Sequence, residues 1–91
     1  MRFVWDPAKA AENLVNHKVS FEKAQAVFAD PLATTSADPD HSVGKKRFLT
    51  TGLSAQRWLL IVWHIDEEDT IRIIGARDVT PHERRIYESG E

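Results

Sequence analysis

The spacing of apolar residues changes near Pro31, and the change divides the chain into a helical first third and a sheet-forming remainder. Arg2 to Trp5 reads as a short strand. Asp6-Pro7 then opens a helix, with the carboxylate at the N-cap and proline at the first helical position, where its missing N–H costs nothing. This helix runs to about His17. Ala8, Ala11, Leu14 and Val15 recur at three- and four-residue spacings and are its expected buried stripe. Ser20 caps a second helix, Val19 is placed to staple against Ala24, and Phe21, Ala24, Val27 and Phe28 form an inward face. Asp30-Pro31 ends it, because proline pushes the residue before it out of the helical region.

Beyond Pro31 the pattern is that of strands. Leu32 to Ser36 and Lys46 to Thr51 are expected strands, separated by a loop that Pro39 and Gly44 punctuate. Gly52 to Gln56 is an expected turn. Trp58 to Ile65 is apolar on both alternating faces, as a strand covered on both sides in mid-sheet would be. An acidic turn, Asp66 to Asp69, joins it as a hairpin to Thr70 to Arg77. Thr80-Pro81-His82-Glu83 is a capping box and starts a last helix reaching about Tyr87. The expected fold is α+β: an N-terminal strand and two helices, a three- to four-stranded antiparallel sheet and a C-terminal helix, in one domain over residues 1–91.

Composition narrows the chemistry. With 91 residues there is room for one modest core, and 42% hydrophobic against 29% charged residues is too apolar for disorder. The absence of cysteine removes disulfides, thiolate metal sites and thiol nucleophiles together. The longest apolar run, Trp58 to Trp63, is a strand's length, far from the roughly 20 residues that span a bilayer, and Asp6 and Pro7 interrupt the place of a signal peptide's apolar stretch. A cytoplasmic protein without membrane contact is expected. The net charge of -2 offers no whole-molecule attraction to nucleic acid, so any such contact needs a local basic patch.

Near the N-terminus stand Trp5, Asp6, Lys9, Asn13, His17, Val19, Ser20 and Phe21, followed by Val27, Phe28, Asp30 and Pro31. Near the C-terminus stand Arg72, Ile73, Ile74, Ala76 and Arg77, then Glu83, Arg84 and Tyr87. In this order and spacing the chain resembles the BrnT-like toxins. It departs in three places: Gly75 stands where serine is usual, Lys18 where glycine is common, and Gly44-Lys45-Lys46-Arg47 lacks the glutamate of the family's middle hairpin. The resemblance implies a RelE-like fold, ribonuclease activity without a cofactor, and neutralisation by an antitoxin (BrnA-like) in a hetero-oligomer.

Cleaving RNA without a metal requires a base for the 2′-hydroxyl, cations for the phosphate and an acid for the leaving 5′-oxygen. Arg72 and Arg77 are the first catalytic candidates, since a guanidinium grips phosphate through two donors and stays charged. They are five apart, which strict alternation sends to opposite faces unless a bulge near Gly75 re-aims Arg77. The competing reading is a pair of surface arginines bound to Asp66, Glu67 or Asp78. Lys9, Asn13 and His17 recur every four residues along the first helix, opposite its apolar stripe, either as a row contacting RNA or as a solvated face. His17 and His64 are candidates for proton transfer, histidine being the side chain that titrates near neutrality. His64 falls on the side of Trp58, Leu60 and Val62 and reads as half-buried near a groove or as a core histidine. Arg47, Arg84 and Tyr87 complete the candidate RNA contacts, with sheet packing the alternative for Tyr87.

The remaining features are assigned no site. His82 lies within the capping box and His41 in a loop. Asp38, Asp40 and His41 cluster but match no zinc or calcium spacing, so no metal is expected. Trp5, Trp58 and Trp63 are expected in the core. The leading function is therefore an endoribonuclease that leaves a cyclic phosphate. The alternatives are a module that binds antitoxin or nucleic acid without cleaving, and a toxin whose activity has decayed.

Overall fold

A computed structural model of the chain describes residues 1–38 and 46–90. The loop around Pro39 and Gly44, with Asp40 and His41, lies outside these. In chain order the elements are β1 (Arg2–Val4), α1 (Pro7–His17), α2 (Phe21–Gln25) with a 3-10 turn over Ala26–Ala29, β2 (Thr34–Ala37), β3 (Arg47–Leu53), β4 (Leu59–Glu67), β5 (Thr70–Asp78) and α3 (Pro81–Ser89). The fold is α+β, as its sequence pattern indicated. All five strands share one sheet, ordered β1-β5-β4-β3-β2. β2 to β5 pair antiparallel, as expected. β1 corrects the expectation of a separate N-terminal strand: it pairs parallel with β5, Arg2 beside Thr70 and Val4 beside Arg72, and makes the sheet mixed.

The core lies on one side of this sheet. Val19, Phe21, Ala24 and Val27 pack against Leu60, Val62, Ile71, Ile73 and Ala76, with Phe3, Trp5, Ala10 and Phe28 partly buried around them. Trp5 meets Phe21 edge-on at 5.9 Å. Ser20 accepts from the Lys23 N–H and Asp6 from the Ala8 N–H, so both helices begin where their caps dictate.

α1 is rotated from its expected orientation. Leu14 and Val15 are 49% and 69% exposed, Ala8 and Ala11 are also exposed, and Asn13 with Ala10 turns inward. β1 covers the outer edge of β5 only as far as Arg72, so beyond it the strand needs another hydrogen-bonding partner. Asn13 supplies it. Its Oδ1 accepts from the Ala76 N–H at 3.1 Å, and its Nδ2 donates to the carbonyls of Ala76 and Val19, both at 2.9 Å. Three buried hydrogen bonds outweigh the apolar area of a stripe that is half alanine. Lys18 closes α1 in the left-handed region (φ 61°), which explains a preference for glycine at that position.

The β3–β4 turn also falls later than expected. Gly52 lies within β3, buried, where a Cβ would come within 3.0 Å of Ala33 Cβ and Val27 Cγ1. The turn spans Ser54 to Trp58, closed by the Ser54 N–H donating to the Trp58 carbonyl at 2.8 Å. Trp58 consequently precedes β4 and is 58% exposed, with the Lys23 ammonium 5.6 Å from its ring. Its expected place in the core is thereby corrected.

Candidate functional site

The second face of the sheet carries the arginines. Residues directly opposite one another across antiparallel strands share a face, so partners on β4 assign each side chain. Arg72 is opposite Ile65, Arg77 is opposite Ile61, and Arg47 on β3 is also opposite Ile65. Ile61 and Ile65 are four apart on β4 and point the same way. All three arginines therefore lie on the face away from α2, together with Trp63.

A register shift makes this possible. Trp63 is paired with Gly75 but His64 with Ile73, which leaves Ile74 as one extra residue in β5. The bulge keeps Ile71, Ile73 and Ala76 in the core while returning Arg77 to the face of Arg72. The re-aiming anticipated near Gly75 is thus present, although Ile74 is the unpaired residue.

The arginines differ in their surroundings. Arg72 Nε donates to Glu67 Oε1 at 3.1 Å in an exposed pair. Among the described residues, the Arg47 Nε is buried without a hydrogen-bond partner. Arg77 is locked in place. Its two terminal nitrogens each donate to one Glu83 oxygen at 2.9 Å, Nη1 also donates to the Asp78 carbonyl, and Cζ lies over the Trp63 ring, 5.1 Å from its centroid. The hydrogen bonds from Arg77, against the opposing effect of burial and helped by the Thr80 N–H, draw the Glu83 carboxyl down to about 2, and Glu83 in turn raises Arg77.

α3 is held over one end of this face by polar ties and has no fully buried residue. Glu83 binds Arg77 and closes the capping box through the Thr80 N–H at 2.8 Å. Tyr87 donates to Asp30 Oδ2 at 2.7 Å, and the same oxygen accepts from the Leu53 N–H at 2.8 Å. Burial pushes Asp30 up, but these donors and the Leu32 N–H outweigh it and hold the carboxyl low, while Asp30 raises Tyr87. Tyr87 is therefore engaged with Asp30. Arg84 points to solvent, 3.9 Å from Glu88. Beneath α3 is a cavity of about 460 Å³ lined by Thr34, Ser36, Leu49, Thr51, Ile61 and Ile86.

Lys9 and His17 are exposed and line a hollow of about 240 Å³ with Glu12, Asn13, Asn16 and Ile74. Ile74 is the bulge residue between Arg72 and Arg77, so this hollow adjoins the arginine strand at its outer edge. Asn13, from the same helical row, is occupied structurally by Ala76 and Val19.

Of the two readings of His64, the structure matches the hydrogen-bonded core histidine and not the half-buried group at a groove. His64 is 2% exposed, on the core side, between Phe28 and Phe48. Its Nε2 bonds Thr50 Oγ1 at 2.8 Å, Thr50 bonds Thr35 at 2.7 Å, and its Nδ1 bonds Asp66 at 2.7 Å. Burial lowers its pKa, with Asp66 opposing, so the ring is held neutral. Enclosed in this way it cannot touch a substrate on the arginine face, and it joins β2, β3 and β4 instead.

Sequence reasoning placed Trp63 in the core, whereas it lies partly exposed among the arginines. It also gave Glu83 only its capping role. No local signal marks the pairing of Glu83 with Arg77, which spans a strand end and a turn. Among the described residues no group of three or more His, Asp or Glu is placed to hold a metal ion. No described helix is long and apolar enough to cross a membrane.

Comparison with known proteins agrees with the fold. The family model described as the ribonuclease toxin BrnT of type II toxin-antitoxin systems matches residues 5–83. The crystal structure of the Brucella abortus ribonuclease toxin BrnT superposes with a TM-score of 0.65 at 16% identity, covering 88% of this chain and 97% of that one. No curated protein matches the chain.

Proposed function

The chain belongs to the BrnT family of ribonuclease toxins of type II toxin-antitoxin systems, and from that premise we propose that its arginine face cleaves RNA without a metal by attack of a 2′-hydroxyl on the adjacent phosphate. The observation that carries this reading is the bulge at Ile74, which sets Arg72, Arg77 and Arg47 on one face although the first two are five residues apart. Arg72 and Arg47 hold the scissile phosphate and offset the charge that builds on it in the transition state. Arg77, fixed by Glu83 and Trp63, is the rigid part of the site.

His17 accepts the 2′-hydroxyl proton from its position in the hollow beside Ile74, and Lys9 adds positive charge at the same edge. As the 2′-oxygen bonds to phosphorus the bond to the 5′-oxygen breaks, and the departing oxygen takes its proton from solvent water, giving a 2′,3′-cyclic phosphate and a free 5′-hydroxyl. His64 has no contact with RNA in this scheme and positions the strands. Arg84 and Tyr87 sit at the periphery on α3. The domain, 1–91, is of the RelE-like type, acts in the cytoplasm and is silenced in a hetero-oligomer with a BrnA-like antitoxin that covers the arginine face.

A binding module without cleavage draws on one specific observation, that the Arg77 fork is already occupied by Glu83. A single experiment separates the two. Purified chain is incubated in EDTA with a fluorescent RNA, alongside Arg72→Ala and His17→Ala. Fragments ending in cyclic phosphate, reduced at least tenfold in both variants, support catalysis; bound but uncut RNA supports the module. Arg72→Ala should leave stability within about 0.5 kcal/mol of wild type, because its ion pair is solvent-exposed, so loss of activity cannot be ascribed to unfolding.

A further inference from the structure

Trp63 lies in the middle of the arginine face. Its partner on β5 is Gly75, so no side chain crowds the indole from the position directly opposite; even a Cβ there would remain 4.0 Å from Cε3. Arg77 lies over the ring, and three of its five N–H donors go to Glu83 and the Asp78 carbonyl. Its end-on fork is thereby taken by Glu83, which holds the guanidinium in place over the indole. The planar surface of the guanidinium, supported by an indole, is part of what the site offers a ligand.

Nucleobases stack on indoles and on guanidinium planes alike. Arg72 and Arg47 flank Ile65, two residues from Trp63 along β4 and so roughly 7 Å away. A base stacked at Trp63 would leave its backbone within reach of both. The exposed Glu67 partner of Arg72 yields readily to a phosphate, since such pairs contribute little. A duplex keeps its bases paired and stacked inward and has no free base face to offer a flat sheet.

We infer that Trp63, together with the Arg77 held over it, is a stacking platform for an unpaired base, and that this face takes single-stranded RNA. The inference rests on the ribonuclease reading for the identity of the ligand, and binding can be tested separately from cleavage.

The probe is a fluorescein-labelled 12-nucleotide 2′-O-methyl RNA, single-stranded and uncleavable because its attacking hydroxyls are blocked, followed by anisotropy. The variants are Trp63→Leu, which keeps apolar cover on the sheet but has no aromatic face, and Trp63→Phe, which keeps a smaller one. Circular dichroism confirms that each is folded. Losing one base stack should weaken binding of Trp63→Leu roughly 5- to 150-fold, with Trp63→Phe retaining most of the affinity and a hairpin duplex competing at least tenfold less well than the single strand. Binding by folded Trp63→Leu within twofold of wild type, or equal competition by the duplex, would overturn the platform. Wild type that binds as expected yet leaves unmodified RNA intact would support the platform and remove the ribonuclease reading instead.

Discussion

Replacing Glu83 with glutamine isolates the charge that ties α3 to the sheet. Glutamine at the third position of a helix still completes a capping box, so the backbone tie to Thr80 survives and only the charge-assisted contact with Arg77 is lost. A carboxyl held at about 2 instead of its ordinary 4.5 corresponds to at most about 3.4 kcal/mol, at about 1.4 kcal/mol per tenfold in proton affinity. Solvent reaches both partners, whose side chains are 30% and 27% exposed, and reduces this to about 1.5 kcal/mol. That equals a loss of about 6–12 °C in melting temperature for a chain of this size. The pH dependence is the sharper test. Because the folded pKa of Glu83 is depressed, its contribution is complete above about pH 4.5 and fades as pH falls toward 2. Urea denaturation of wild type and Glu83→Gln should therefore give curves separated by about 1.5 kcal/mol at pH 7 that draw together below about pH 4.5 and converge only as pH approaches about 2. A separation that stays constant across that range would refute the assignment of this stability to the ion pair.

Three further substitutions test other parts of the fold. Asn13→Ala strands the N–H and carbonyl of Ala76 and the carbonyl of Val19 in a buried site, for an expected loss of about 3 kcal/mol in chemical denaturation. Gly52→Ala forces a methyl against Ala33, Val27 and Asp30 at 3.0–3.1 Å and should cost about 1–3 kcal/mol by the same measurement. At His64, burial lowers the folded pKa, so the unfolded chain takes up a proton first as pH falls below about 6.5. Wild type should lose stability between pH 7.5 and 5 by a slope that His64→Gln lacks, and equal slopes in the two proteins would count against a buried neutral ring.

Local signals were read correctly and non-local ones were not. The N-caps Asp6, Ser20 and Thr80 and the proline at 31 each act on neighbours within a turn, and the helix boundaries followed from them. The orientation of α1 depended on something absent from its own sequence, the hydrogen-bonding edge of β5 left bare beyond Arg72. Periodicity therefore selected the methyl-bearing stripe and missed Asn13. The parallel pairing of β1 has the same character, because its partner lies nearly 70 residues away and leaves no trace in Arg2 to Val4. His64 kept two readings for a related reason: alternation gives its face, but whether that face is a groove or an interior depends on Phe28 and Phe48.

The bulge at Ile74 shows how much a strand's spacing can encode about a site. In β5 the core residues are Ile71, Ile73 and Ala76, spaced two and then three, and the arginines at 72 and 77 straddle the same irregular step. No unbroken period-two register places all five where burial and charge require. An unbroken register from Ile71 and Ile73 would turn Ala76 outward and Arg77 toward the core, where an unpaired guanidinium would cost far more than one missing ladder bond. The extra residue is thus required jointly by the core and by the charged face. Two chemically distinct sets of residues that break alternation at the same point are a stronger sign of a bulge than an isolated glycine, and here that sign was present in the spacing of Ile71, Arg72, Ile73, Ala76 and Arg77 alone.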